Sequence, residues 1–187
     1  MTSQNAEITE TKAKGEETII EKDDKKMHRV LLSFVFIALM VSCDDSLVKT
    51  GFKATNNGAW NKDNIVEFTF SEMDTVQNHH VYINVRNDNT FLYSNLFLIA
   101  ELDKPNGDTV TDTLEFIMAK PDGTWLGKGY ANTKENKLWY KENIVFSSSG
   151  VYTLRLSHAM RKNGNLDGII NLEGITDVGY EIVKSNE

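Results

Sequence analysis

Side chains able to do chemistry are few and scattered in this sequence. The histidines are His28, His79, His80 and His158. No H-x-H or H-E-x-x-H spacing joins them, so the sequence offers no ligand set for a catalytic zinc. The adjacent pair His79-His80 points to opposite faces if a strand begins there. Ser149-Gly150 lies in a polar turn and not in a G-x-S-x-G nucleophile elbow. Asp108 and Asp112 are of the type that flanks a glycosidic bond, yet carboxylates in a hairpin are ordinarily solvated. No catalytic residue is assigned.

Two weaker constellations remain. Asn163-Gly164-Asn165-Leu166-Asp167-Gly168 places oxygen ligands at positions 1, 3 and 5 of a calcium loop and glycine at position 6. The closing ligand fails, because position 12 is Gly174 and Glu173 falls one residue early. Arg161 and Lys162 also set positive charge beside the loop. A polar Asn/Gly turn is the expected reading, and Asn163, Asn165 and Asp167 stay a weak calcium candidate. The aromatics Trp60, Trp125, Trp139 and Tyr140 suit a sandwich core better than a sugar-stacking face. Trp139 and Tyr140 are consecutive in a strand, so at least one ring points outward and could anchor a protein or a glycan.

The single cysteine excludes an intramolecular disulfide framework and a Cys-rich zinc site. Its position says more. Met27-His28-Arg29 is followed by the apolar run Val30–Val41 and then by Ser42-Cys43. This is a charged n-region, an apolar h-region and a small residue at a cleavage edge, and the run is short for a bilayer span. Met40-Val41-Ser42-Cys43 looks like a bacterial lipobox, with Met40 where Leu is commoner. Cys43 is therefore the expected lipidation site. It would carry a covalent diacylglycerol and an N-acyl chain, enough lipid for stable attachment, and no other cofactor is expected.

Residues 1–26 are charged and nearly devoid of apolar side chains, so a disordered extension is expected, with translation starting at Met27. The organisation expected is 1–26 extension, 27–42 signal peptide, 43–59 lipidated tether and 60–187 folded domain. The net charge is −7 and the pI about 5.2. That acidic balance lacks the field that phosphate backbones need, so nucleic acid is not an expected partner.

The elements that must position these residues read as strands. Val66, Phe68 and Phe70 alternate with polar residues, as do Val81, Ile83 and Val85. Leu96–Ala100 is continuously apolar, the mark of a strand buried on both faces. Lys104-Pro105-Asn106-Gly107 and Lys120-Pro121-Asp122-Gly123 share one turn chemistry. Between them Leu114, Phe116 and Met118 alternate, so the expected meander returns upward through Trp125-Leu126-Gly127. Further strands are expected at Leu138–Phe146, Val151–His158 and Gly174–Val183. The fold class expected is all-β: an antiparallel, jelly-roll-like sandwich of about eight strands.

Several longer stretches then carry a resemblance. NLFL (Asn95–Leu98), TDTLEF (Thr111–Phe116), MAKPDGTWLGKG (Met118–Gly129) and KENKLWYKE (Lys134–Glu142) resemble the gliding motility lipoprotein GldH family. So do GVYTLRLSHAMRKNG (Gly150–Gly164) and NLEGITDVGYEI (Asn171–Ile182). Residues 1–26 have no counterpart in that pattern. The resemblance implies a lipid-anchored cell-envelope protein required for gliding, working beside other gliding lipoproteins and the type IX secretion apparatus, with no enzymatic activity. Only Cys43 carries over as a functional position. The expected role is a non-enzymatic scaffold on the outer membrane, facing the periplasm and docking other gliding-machinery proteins. The alternative is a glycan-binding module for peptidoglycan or polysaccharide on the same anchor.

Overall fold

The structure is a computed structural model that describes residues 46–186. The extension, the signal segment and Cys43 lie outside the described residues. Ten strands run in chain order: β1 (Leu47–Ala54), β2 (Ala59–Asn61), β3 (Val66–Phe70), β4 (Asn78–Asn87), β5 (Asn95–Asp103), β6 (Thr109–Ile117), β7 (Lys134–Val145), β8 (Tyr152–His158), β9 (Asn171–Glu173) and β10 (Ile175–Lys184). They form two four-stranded antiparallel sheets, β1-β10-β4-β7 and β3-β8-β5-β6, and a two-stranded ribbon, β2-β9.

The alternation in the sequence explains the layers. Val66, Phe68 and Phe70 are buried while Glu67 and Thr69 are exposed, so β3 shows one face to the core. Leu154 and Leu156 of β8 and Leu96, Leu98, Ala100 and Leu102 of β5 extend that face. Val81, Ile83 and Val85 of β4 and Val178, Tyr180 and Ile182 of β10 oppose them across the core. Each fully buried aliphatic side chain contributes about 1.5–3 kcal/mol. Facing sheets built this way are a sandwich.

Three expectations are corrected. The stretch expected as a tether contributes β1, which pairs with β10 from Leu47↔Val183 to Ala54↔Asp177, and it also contributes the start of β2. β1 is an edge strand with Lys49, Gly51 and Lys53, residues that blunt an edge and erase its apolar pattern. β5 is buried on one face only, with Phe97 and Ile99 half-buried on the other. Trp125–Gly127 is not a strand: both Lys-Pro turns close alike (Lys104 N–H to Asp108 O and Lys120 N–H to Thr124 O, both 2.8 Å), yet only the first joins two strands. The second leads into a loop pinned by Leu126 N–H donating to Met118 O at 2.9 Å.

The register defines two ends. Leu47, Val183 and His80 lie in one row across the first sheet, and Asn78 pairs with Val145 beside it. This is the entry end, where β1 begins. The loops 71–77, 104–108 and 146–151 belong to it. The far end holds loops 62–65, 88–94, 118–133 and 159–170.

Candidate functional site

Strand alternation separates the two aromatic candidates. Tyr140 turns inward and is buried, so it is not available to a partner. Its hydroxyl donates to Asp112 Oδ2 at 3.0 Å, and Lys141 Nζ lies 2.7 Å from the same carboxylate. This network closes the flank where the edge strands β6 and β7 face each other. Burial, then the Asp112 charge, raises the Tyr140 pKa far above its ordinary value. The phenol is a neutral donor that positions, and it is no base. Asp112 is thereby committed, while Asp108 accepts from the Asn106 amide at 2.7 Å in the exposed turn. The two aspartates are not brought together as an acid–base pair.

Trp139 turns outward and is 52% exposed. Its ring lies 4.5 Å from Tyr82 at 50° and meets the edge of His80 at 5.2 Å. Lys137 Nζ sits 4.1 Å from the centroid of Tyr82 and 2.6 Å from Glu181 Oε1. Beside this group Arg86 lies 4.1 Å over Phe52 and 2.9 Å from Glu135. Phe52 reaches across Gly179, where a Cβ would stand 2.7 Å from the ring and 2.6 Å from the Gly51 carbonyl oxygen. Only glycine fits there. Asn84 is covered beneath this layer, with Oδ1 unpartnered. The outer face of the first sheet is thus largely closed by its own side chains, and Trp139 is its most exposed ring.

The histidines separate as the strand parity requires. His79 and His158 are buried, and His80 is on the outer face. His158 Nε2 lies 2.9 Å from the Trp60 carbonyl, and its ring meets Trp60 edge-on at 5.6 Å. His79 packs edge-on to Phe146 at 5.4 Å. Desolvation lowers the pKa of both, so each is a neutral packing group at pH 7. Ser149 remains in the turn before Gly150.

Asn163, Asn165 and Asp167 are all exposed in loop 159–170. Asn165 N–H donates to Lys162 O at 3.0 Å and Arg161 bridges Gly168, so backbone contacts close the turn. Among the described residues no cluster of three or more His, Cys, Asp or Glu side chains is placed to hold a metal ion.

Sequence reasoning missed the far end. Loop 88–94 is pegged by Phe91, which is buried and packs on Tyr93 at 5.7 Å and on Trp125 at 5.9 Å. Asp88 accepts from Thr90 N–H at 2.8 Å, and Asp88 N–H donates to Gly174 O at 2.9 Å. Gly174 has φ +82°, and the Phe91 backbone occupies the place its Cβ would take. A loop held this firmly nonetheless presents Leu92 at 82% exposure. The Leu92-Tyr93 ridge separates a cleft of about 520 Å³ beside Lys162 from a hollow of about 370 Å³ beside Lys120. A third hollow, about 690 Å³, runs from Tyr93 past Phe97 to Arg161.

A family described as GldH lipoprotein matches residues 47–182. A "Gliding motility lipoprotein GldH homolog" of Christiangramia forsetii is 48% identical over 154 residues, 82% of this chain and 94% of the relative. The "Gliding motility lipoprotein GldH" of Flavobacterium johnsoniae is 41% identical over 148 residues, 79% of this chain and 91% of the relative. Among solved structures, the infectious bursal disease virus VP2 subviral particle aligns with a TM-score of 0.33 and 15% identity. The alignment covers 76% of this chain and 34% of that one, so the chain spans about a third of that protein's length; a score this low carries no argument.

Proposed function

Because the chain belongs to the GldH lipoprotein family, we propose that it is a non-enzymatic structural component of the gliding and type IX secretion machinery, lipid-anchored to the outer membrane and facing the periplasm. As a gliding-motility lipoprotein it is a membrane-anchored envelope protein. The proposed anchor is the diacylglycerol and N-acyl lipid on Cys43. What supports the scaffold reading is how soon the fold begins: Leu47, the first residue of β1, is four positions after Cys43. A chain covers at most about 3.3–3.6 Å per residue. An acyl group on Cys43 therefore holds the entry end of the sandwich close to the bilayer.

Cys43→Ala in cells tests this reading. The expected result is protein released from the membrane fraction and cells that no longer spread on a surface. Retention in the membrane with normal spreading would overturn it. A second reading, glycan docking, has one observation in its favour: Trp139 offers an exposed ring face flanked by the Lys137–Glu181 pair. Trp139→Ala should then abolish retention of the envelope-derived protein on polysaccharide; unchanged retention removes that reading.

A further inference from the structure

We propose that the far end of the sandwich, centred on the Leu92-Tyr93 ridge, docks a segment of a partner protein that combines acidic and aliphatic or aromatic side chains. The inference rests on the anchored reading above, which puts the entry end at the membrane. β4 and β10 each run ten residues between the two ends. At about 3.3 Å per residue that is roughly 30 Å, so the far end lies that far from the end nearest the lipid.

The composition of this surface selects a protein partner. Leu92, Leu126, Leu166, Ile170 and Tyr130 are all exposed there, Leu166 at 91% and Tyr130 at 96%. Leu92 and Ile170 line one cleft with Tyr93, and Leu126 and Tyr130 line another hollow, and apolar groups that share a concave surface mark interaction sites. Most of these are aliphatic and have no ring face on which a sugar could stack, whereas they suit the side chains of another protein. The loop carrying Leu92 is pegged by Phe91 and capped by Asp88, so the ridge is presented in a fixed form and loses little entropy on binding.

Charge selects the kind of segment. Lys120 edges one hollow beside the ridge and Arg161 another, and among the described residues neither forms an ion pair. Both hollows lack an acidic lining residue. The cleft beside Lys162 also holds Asp167 and Glu173, so the cationic bias belongs to the other two. A segment with apolar side chains on either side of Leu92 and carboxylates against Lys120 and Arg161 matches this pattern.

The test uses the full chain in living cells, with a photo-crosslinking residue at position 92 or, as a control, at Val76 on the entry end. The expected result is one protein adduct from position 92 and none in common with position 76. Its peptide should map to a segment with Asp or Glu beside apolar residues. Lys120→Glu with Arg161→Glu should lower adduct yield about ten-fold, because like charges opposed across an interface are strongly disfavoured. The membrane fraction and the urea midpoint should stay unchanged. A basic segment, polysaccharide, lipid or a second copy of this chain at position 92 would overturn the proposal. So would an absent adduct, or a yield indifferent to the charge reversals. The Cys43→Ala fractionation reports separately on the anchor: its failure would leave a charge-sensitive adduct at position 92 standing.

Discussion

The two ends of the sandwich are built differently. At the entry end three short loops join strands that stop almost together, and the core is sealed by Phe70, Phe146 and Tyr152. Phe70 stacks on Tyr152 at 5.7 Å and 5°, and Phe146 meets Tyr152 edge-on at 5.0 Å. At the far end loops 118–133 and 159–170 are longer, Phe91 and Trp60 are buried there as pegs, and aliphatic side chains reach into solvent. Neither end is loosely assembled. Both ends leave single apolar side chains exposed, Val76 and Val151 at the entry end among them; the difference is that at the far end Leu92 and Ile170 line one cleft together.

The largest expected effect comes from removing a peg. Phe91→Ala should cost about 3–5 kcal/mol, the usual range for truncating a buried aromatic. Val151→Ala, at an exposed entry-end site, should stay within about 0.5 kcal/mol. Urea unfolding measures both, and equal costs would erase the contrast. Tyr140→Phe comes next. It strips a charge-assisted hydrogen bond from Asp112 and should cost about 1.5–3 kcal/mol, with Lys141 left as the carboxylate's partner.

A pH titration compares the ends directly, since each buries one neutral histidine, His79 at entry and His158 at the far end. Burial lowers both pKa values in the folded state. As pH falls below the unfolded value near 6.5, the unfolded chain takes up protons that the folded chain refuses. Stability is thus full above that value and declines as pH drops toward the folded pKa. The urea midpoint should fall from pH 7 to pH 5, and His158→Gln should flatten the far-end share of that fall. The smallest effect on stability belongs to Leu92→Asp, within about 0.5 kcal/mol for an exposed side chain. Surface spreading by cells should nonetheless drop, and unaltered spreading would mean that the far end is not a working surface.

Much of the sandwich was legible because parity is a local signal. β3, β4 and β8 announce themselves by alternation, and the same rule foretold that His79 and His80 part company and that Trp139 and Tyr140 cannot both be buried. Which of the two rings faces the core was not legible, since that depends on Tyr140 finding Asp112 on a separate strand. β2 and β9 have three residues each, too few for a period, and they exist because Trp60 and Leu172 pair across the far end. The far-end surface was silent for the same reason. Leu92 is exposed because Phe91 fits over Gly174, a contact between segments remote in sequence. The expected lipidation site, Cys43, rests on the order of residues in 27–43 alone, outside the described residues.

The β1 ladder has a mechanical consequence. β1 is joined to β10 along its whole length, from Leu47 to Ala54, and the chain leaves toward Cys43 from its entry end. A pull between the chain preceding Leu47 and anything gripping the far loops would run parallel to that ladder. The hydrogen bonds would then be loaded together in shear, and they would not peel one at a time. A domain loaded in this direction would bear tension as a tie does, with the whole ladder sharing the load.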